Sequence, residues 1–306
     1  MSFSAEIKEE LIKIEEMPDC CAHAMTYGML LFGRNFDSKD ISLLTDNSAV
    51  GKKYALMTER VCGIMPDIQI SDAGKMTCEI RDESDIEKVL SCFSTTGNER
   101  VKRIDRGNLL NECCEGDDGM SCCNAAFLRG AFLSCGTASD PNKSYHIEFV
   151  VPYRTLSMDL LKLLTDYGLK AKHMVRRYIN VIYIKDSESV EDLLTIMGAT
   201  NASLSIMGIK IYKDMRNRTN RIINFENANL LKTASAAYDQ ISAIEKLKEK
   251  GGFEHLSPDL KQVAELRIEN EEASLREIGE MCTPALSRSA VNHRLKKLIA
   301  LSDAGK

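Results

Sequence analysis

The chain lacks the features that mark a membrane, secreted or nucleotide-hydrolysing protein. Its 306 residues contain no apolar run that approaches the roughly 20 residues needed to span a bilayer. The opening segment 1–6 has no basic stretch followed by an apolar one, so no secretory signal is evident. Neither a glycine-rich phosphate loop nor a nucleophilic serine turn is present, which excludes the enzyme classes that use them. We therefore expect a cytoplasmic protein that does not insert into a membrane.

A net positive charge is also absent. With 40 basic and 45 acidic residues, the net charge is −5. The charge of the whole chain therefore does not predict nucleic-acid binding, and any such binding must come from local basic surfaces. An apolar content of 44% and a charged content of 28% are typical of a globular protein. The length predicts two domains with a buried core.

Cysteine, in contrast, is abundant: there are eleven, predicted to be thiols in a reducing cytosol. Two adjacent pairs, Cys113–Cys114 and Cys122–Cys123, flank an acidic, glycine-rich stretch at 115–119 that predicts a loop. These pairs lack the two-residue spacing that is typical of a zinc knuckle. We therefore favour small buried apolar side chains and predict no metal and no cofactor, with zinc binding as the alternative.

An internal repeat organises most of the chain. Cys20–Cys21 recurs as Cys122–Cys123, 102 residues later, and Gly28 matches Gly130 at the same offset. Segment 80–87 also resembles segment 184–191. Each copy predicts the order helix, strands, helix, strands, helix. We thus predict an α+β, pseudo-two-fold duplicated domain over residues 18–212, with copies at about 18–97 and 120–212, after an N-terminal helix in 1–17.

The tail predicts three short helices. Ser257–Pro258 is a typical helix start, Ser274 to Glu277 forms a capping-box sequence, and Ser287 precedes a third amphipathic stretch. Three short helices in this order predict a small all-α helix-turn-helix domain at 253–306.

The third tail helix has a basic outer face. From 287 to 300 there are four lysine or arginine residues and no acid. Arginine can bind guanine through two hydrogen bonds, and asparagine can bind adenine in the same way. The alternative is an amphipathic helix with a solvated basic face, but we favour contact with double-stranded DNA. The predicted DNA-binding residues are Ser287, Arg288, Ser289, Asn292, His293, Arg294, Lys296 and Lys297.

A second basic stretch precedes the tail. It holds five basic residues against one acid, Asp214, and either grips phosphates or serves as a solubilising connector. Its basic residues are Lys210, Lys213, Arg216, Arg218 and Arg221. A helix from Asn224 to Lys250 follows, so that 213–252 is predicted to be a basic segment and helical linker. Gly251–Gly252 ends it and is expected to let two DNA-contacting units move independently.

The helix of the second copy resembles a known motif. The run Phe127–Gly136, FLRGAFLSCG, is similar to a degenerate LAGLIDADG helix of the homing endonucleases. The resemblance implies two such helices packed on the pseudo-two-fold axis, each ending in a carboxylate that holds a divalent metal. Here that position is Cys135 in the second helix and Phe32 or Gly33 in the first. None of these offers the oxygen ligand that magnesium prefers, which implies a nuclease fold without nuclease activity.

A wider resemblance covers essentially the whole chain. Segments 2–11, 128–146 and 218–229, both Cys-Cys helices and the tail from Pro284 resemble the WhiA family of sporulation and cell-division regulators. The resemblance implies a sequence-specific DNA-binding regulator at the nucleoid, linked to cell division, chromosome segregation or sporulation. In this reading the LAGLIDADG-like domain provides a surface that binds either a second DNA segment or a regulatory protein. A protein-interaction scaffold, a nonspecific chromosome-associated protein and a residual metal-dependent nuclease stay open as alternatives.

Overall fold

The two copies of the repeat fold into the same order of elements. The computed structural model describes residues 2–72, 74–99, 101–110, 113 and 122–304. Helix α1 (Phe3–Ile12) precedes the first copy. The first copy comprises α2 (Asp19–Leu31), β1 (Asn35–Phe36), β2 (Ile41–Thr45), α3 (Ser48–Cys62), β3 (Asp67–Ile70), β4 (Met76–Ile80) and α4 (Glu83–Cys92). The second comprises α5 (Cys122–Cys135), β5 (Gly136–Ala138), β6 (Ile147–Val151), α6 (Arg154–Asp166), β7 (Lys172–Arg176), β8 (Ile179–Ile184) and α7 (Ser187–Met197).

Each copy contains one four-stranded antiparallel sheet with the same topology. The strand orders are β1-β2-β4-β3 and β5-β6-β8-β7. Corresponding strands also pair in corresponding register: Ile41 lies opposite Ile80 in the first sheet, and Ile147 lies opposite Ile184 in the second. The shared strand order and register confirm the predicted α+β fold with two copies of one unit.

Helices α2 and α5 approach each other closely through matched glycines. A Cβ atom added at Gly28 would collide with the carbonyl of Phe127, and one added at Gly130 would collide with the carbonyl of Met25. Since Gly28 and Gly130 are equivalent positions of the repeat, each helix provides the space that the backbone of the other requires. The repeat detected in the sequence therefore marks the helix pair at the centre of the domain.

One apolar core fills the unit Met1–Tyr212. It contains Ile7 and Leu11 of α1 together with the facing sides of α2 and α5. The outer strands β3 and β7 expose side chains such as Ile70 and Val175 to solvent. Each sheet is thus buried on one face and open on the other, as expected for antiparallel sheets.

The predicted order places strands and then a helix after α2, but the sequence does not locate the bounds of β2 and α3. In β2, four of the five residues are buried, so the strand lacks the polar and apolar alternation of a half-exposed strand. In α3, the Asn47 side chain accepts hydrogen bonds from the backbone N–H groups of Ala49 and Val50, and Gly63 ends the helix in the left-handed conformation. Both are ordinary start and stop signals that the sequence does carry.

The predicted boundary between a basic connector and a helix starting at Asn224 is wrong. The structure has one 50-residue helix, α8 (Thr200–Glu249), through this whole region. No proline or glycine interrupts the chain between Gly208 and Gly251, so nothing in the sequence ends a helix there. Along the described chain, no helix combines the length and the sustained apolar character that crossing a bilayer needs.

The second unit, Lys213–Lys306, is built around the C-terminal turns of α8. A 3-10 turn (Gly252–His255), α9 (Pro258–Glu269), α10 (Leu275–Met281) and α11 (Arg288–Ala304) follow. Ile244 and Leu247 are buried in its core, whereas Leu230 and Leu231, earlier in the same helix, are exposed. Gly251, with φ +71°, turns the chain between α8 and α9. The glycines therefore join two helices of one core, in place of the expected hinge between independent units.

Candidate nucleic-acid interface

A small core fixes the orientation of α11 in the C-terminal unit. Val291, Leu295 and Leu298 are buried on its inner side, where they belong to one cluster with Val263 of α9 and Ile278 of α10. These three positions form an apolar inner stripe and confirm that the third predicted stretch of the tail is amphipathic. Because they lie three or four residues apart, they share one side of the helix and leave the opposite side open to a ligand.

The helix starts follow the predicted capping pattern. The Ser274 hydroxyl accepts the backbone N–H of Glu277 at 3.3 Å, and the Glu277 carboxylate accepts the N–H of Ser274 at 2.7 Å, which confirms the capping box. The bond from the backbone N–H of Ser274 lowers the pKa of Glu277. At the next helix, the Ser287 hydroxyl accepts the N–H of Ala290 at 3.3 Å. These caps satisfy backbone donors that a free helix end would leave open.

Gly279 allows the turn before α11 to lie directly on α10. The N–H of Leu286 donates to the carbonyl of Gly279 at 2.8 Å. A Cβ atom at Gly279 would collide with the carbonyl of Leu286. The turn is therefore held in close contact with α10, which helps to set the direction in which α11 leaves the core.

A buried arginine organises the connection between α9 and α10. Arg267 is 2% exposed, and its Nε donates to Oε1 of Gln240 on α8 at 3.1 Å. Its terminal nitrogens donate to the carbonyl of Ala273 at 2.7 and 2.9 Å. The guanidinium thereby ties α8 and the loop before α10 to α9. No local pattern in the sequence identifies Arg267, because its partners lie on other elements.

Six of the eight predicted DNA-binding side chains are exposed on α11 or at its start, and Asn292 is half-buried beside them. The exposed residues are Ser287, Arg288, Ser289, His293, Lys296 and Lys297. The structure therefore brings the predicted polar and basic groups onto the open side of a helix whose other side is the core.

Arg294 differs from the other predicted contacts. Its Nη2 lies 3.2 Å from Oδ2 of Asp259 at the start of α9, and its side chain is 24% exposed. This ion pair links α11 to α9 and occupies the guanidinium. Arg294 therefore contributes to the packing of the unit.

Two basic residues beside α11 are missing from the predicted set. Lys232 of α8 and Arg276 of α10 line one cleft together with Arg288. Arg276 also forms an exposed ion pair with Glu280, at 2.9 Å. Its position in the first turn of α10, next to Ser274, is the sequence signal that would identify it, since the first turn of a helix presents free N–H groups to an anion.

The second basic stretch lies on α8, and its five residues have different environments. Lys210 is 3.5 Å from Oε1 of Glu191, so its charge is partly neutralised. Lys213 is half-buried, whereas Arg216, Arg218 and Arg221 are exposed. The three arginines are available for a phosphate, and Lys210 is held by the LAGLIDADG-like domain.

In LAGLIDADG nucleases the catalytic metal lies at the C-terminal ends of the two central helices. The residues at that position in this chain do not suit a hard cation. A cavity at the C-terminal ends of α2 and α5 is lined by Gly33 and Cys135, and among its described lining residues Asp46 alone is acidic. Burial raises the pKa of Cys135 to about 12, so that it stays a neutral thiol. Lys8 also lines this cavity, where burial lowers its pKa and the nearby Cys135 and Asp46 oppose that shift. One carboxylate beside a lysine is a poor oxygen set for magnesium.

The opposite ends of the same helices carry a group of cysteines. Cys20, Cys21, Cys113 and Cys123 have sulfur atoms that all lie within 4.8 Å of one another. Cys20, Cys21 and Cys123 are buried, and Cys113 is half-buried. Cys114 and the predicted loop at 115–119 lie outside the described residues.

Family models match two consecutive parts of the chain. Residues 219–302 match the WhiA C-terminal HTH domain, and residues 124–216 match the WhiA LAGLIDADG-like domain. The first of these matches begins inside α8, in agreement with a core that includes the C-terminal turns of that helix.

Individual relatives are similar over nearly the full length. The chain is 35% identical over 314 residues to "Probable cell division protein WhiA" of Ruminiclostridium cellulolyticum, covering 99% of this chain and 97% of the relative. It is 37% identical over 310 residues to the protein of the same description from Alkaliphilus oremlandii, covering 97% and 96%. The solved structure of full-length DUF199/WhiA from Thermatoga maritima matches with a TM-score of 0.58 and 26% identity, covering 99% of each chain.

Proposed function

The chain belongs to the WhiA family, and on this premise we propose that it is a sequence-specific DNA-binding transcriptional regulator linked to cell division, chromosome segregation or sporulation. The relatives of nearly equal length are described as probable cell division proteins, which supports a role in cell division. The helix-turn-helix domain supports the mode of action. Its place of action is the nucleoid, in the cytoplasm.

One observation carries the proposal: α11 presents an acid-free basic face on a helix that is anchored by a capped and buried core. From 287 to 300 the chain has no aspartate or glutamate. The whole chain is acidic, so this local concentration of positive charge is what attracts the phosphate backbone. Helices in this arrangement place the third helix in the major groove, with its N-terminal residues at the base edges.

The residues on this face take different roles. Arg288 and Asn292 lie one turn apart near the start of α11 and have the side chains that read guanine and adenine edges. Lys296 and Lys297 are suited to phosphates, as are the hydroxyls of Ser287 and Ser289. His293 is exposed on the same helix and joins this contact surface.

The protein acts without cutting DNA. This part of the proposal is supported by the cavity at the ends of α2 and α5, where the described residues offer a single carboxylate and a nearby lysine. Incubation of supercoiled plasmid with the full-length protein and magnesium or manganese tests it. Intact plasmid is expected, and divalent-dependent nicking that Asp46→Asn abolishes would contradict it.

The exposed arginines of α8 supply additional phosphate contacts. This role falls to Arg216, Arg218 and Arg221, with Lys213 beside them. Lys210 contributes less positive charge because it pairs with Glu191. Such contacts add affinity without sequence information. The LAGLIDADG-like domain, residues 18–212, provides the surface for a second DNA contact or for a regulatory protein.

Selection of fragmented genomic DNA by the full-length protein tests the proposal. We expect retained fragments to share a motif, and the double variant Arg288→Ala/Asn292→Ala to lose that enrichment. Lys246→Ala, which removes one exposed positive charge of the same unit outside α11, is the matched control and is expected to retain it. Retention without a motif, equal for all three proteins, would favour a scaffold or a nonspecific chromosome-associated protein.

A further inference from the structure

The cysteine group at the N-terminal ends of α2 and α5 is built from three separate parts of the chain. Cys20 and Cys21 lie in the first turn of α2, Cys123 lies in the first turn of α5, and Cys113 comes from the segment between the two copies. Their sulfur atoms all lie within 4.8 Å of one another, and Cys21 and Cys113 are 3.4 Å apart. Four sulfur ligands thus converge although none of the contributing segments has a two-residue cysteine spacing.

The spacing of these atoms suits a tetrahedral metal site. A zinc–sulfur bond of about 2.3 Å places the four sulfurs of a tetrahedral complex roughly 3.8 Å apart. The separations in the group, up to 4.8 Å, require only small side-chain adjustments to reach that geometry. Sulfur ligands also select zinc and other soft cations over magnesium or calcium.

The surroundings of the sulfurs act in two directions: burial opposes the charged form and raises the pKa of Cys21, whereas nearby positive groups favour that form. The N-terminal ends of two helices meet at the group, and each brings partial positive charge and free backbone N–H groups. The guanidinium of Arg129 interacts electrostatically with Cys21. These positive groups offset part of the cost of burying thiolates, the form that binds a metal, and a bound cation would offset the rest.

We propose that Cys20, Cys21, Cys113 and Cys123 bind one zinc ion. The ion fastens the starts of α2 and α5 to each other and to the segment that joins the two copies. This proposal departs from the prediction of no metal, because that prediction considers only the spacing of Cys113–Cys114 and Cys122–Cys123. The ligands from the first copy are about a hundred positions away and meet them only after the repeat has folded.

Metal analysis of the full-length protein, purified with a reductant and without chelator, tests the proposal. We expect about one zinc per chain, as for a closed structural site. Cys20→Ala/Cys21→Ala is expected to lose the metal. The matched control Cys62→Ala/Cys92→Ala removes two half-buried cysteines of the same domain outside the group and is expected to keep it. Metal absent from the wild type even after incubation with zinc, or lost equally in the control, would overturn the proposal.

Cobalt substitution gives a second readout that does not depend on a variant that folds poorly. Cobalt bound by four thiolates is expected to show a strong sulfur-to-metal charge-transfer band and the visible bands of tetrahedral coordination. Cys113→Ser, at the half-buried edge of the group, is expected to weaken the charge-transfer band while the protein stays folded. A cobalt spectrum typical of octahedral coordination would contradict the site. So would a disulfide among these cysteines in the protein as isolated, if the protein also binds no metal after reduction.

Discussion

Arg294 of α11 and Asp259 of α9 form an ion pair with a nitrogen–oxygen distance of 3.2 Å. We propose that this pairing gives Arg294 a structural role in the unit and makes it a minor contributor to DNA reading. We predict that Arg294→Ala lowers the free energy of unfolding by about 1 kcal/mol or less, because Asp259 is largely solvent-exposed. The DNA discrimination of the folded variant should stay within about twofold of the wild type, since specific base contacts are worth about 1 kcal/mol or more. Urea unfolding and DNA titration check the two parts, and a large loss of discrimination at unchanged stability would return Arg294 to the DNA contacts.

Arg267 and Gln240 give a prediction for the stability of the C-terminal unit. Arg267→Ala leaves the half-buried carbonyl of Ala273 without these donors and removes the buried link to Gln240 of α8. We expect a loss of about 2–4 kcal/mol, in the range of a broken buried network. Gln240→Ala should cost less, about 1–3 kcal/mol, because the bonds to Ala273 remain. Thermal unfolding followed by circular dichroism measures both, and equal stability of Arg267→Ala and wild type would refute the role of this network.

The matched glycines of the repeat give a prediction for the N-terminal unit. Gly28→Ala places a methyl group against the Phe127 carbonyl, a backbone atom that cannot rotate away. We expect a destabilisation of about 1–3 kcal/mol, as for an overpacked core. Gly208→Ala on α8 is the control: a Cβ there has nothing within 4 Å, so the better helix propensity should stabilise by up to about 1 kcal/mol. Unfolding midpoints shifted in the same direction for both variants would contradict the close approach of α2 and α5.

Glu99 gives a prediction for acid sensitivity. Its carboxylate accepts bonds from the Thr95 hydroxyl at 2.6 Å and the Thr96 N–H at 2.8 Å. Burial opposes ionisation, but these bonds lower the pKa of Glu99 from 4.5 to about 2. Because the folded pKa is the lower one, the stabilisation is complete above about pH 4.5 and disappears as the pH falls toward 2. The effect is small, since the side chain is 39% exposed.

Melting temperatures of the wild type and Glu99→Gln across this pH range check that sign. The wild type should be the more stable protein at neutral pH, and the difference should shrink as the solution becomes acidic. A difference that grows with acid would mean that the carboxylate is not stabilised by folding.

The sequence predicts the features that depend on local patterns and on the repeat. The capping box at Ser274 and the inner stripe of α11 need only a few neighbouring residues, and both are confirmed. The equivalence of Gly28 and Gly130 predicts the duplicated domain. The bounds of strand β2 are not located because burial on both faces removes the alternation that identifies a strand.

Other features depend on contacts between distant segments, which periodicity does not reveal. The pairing of Arg294 with Asp259 requires the folded packing of α11 on α9. The burial of Arg267 requires α8 to continue into the C-terminal unit. The convergence of Cys20 with Cys123 depends on the packing of α2 against α5. In each case the residue type is visible in the sequence, but its partner is set by tertiary structure.

The measurement that tests the central claim most directly is the salt-dependent affinity of the full-length protein for its enriched DNA and for a scrambled duplex. A specific regulator should prefer the enriched DNA by roughly a thousandfold or more. Arg288→Ala/Asn292→Ala should lose at least about tenfold of that preference. The slope of log affinity against log salt concentration should change by no more than the loss of about one phosphate contact would cause. Equal affinity of the wild type for both duplexes, or an undiminished preference in the double variant, would contradict sequence reading by α11.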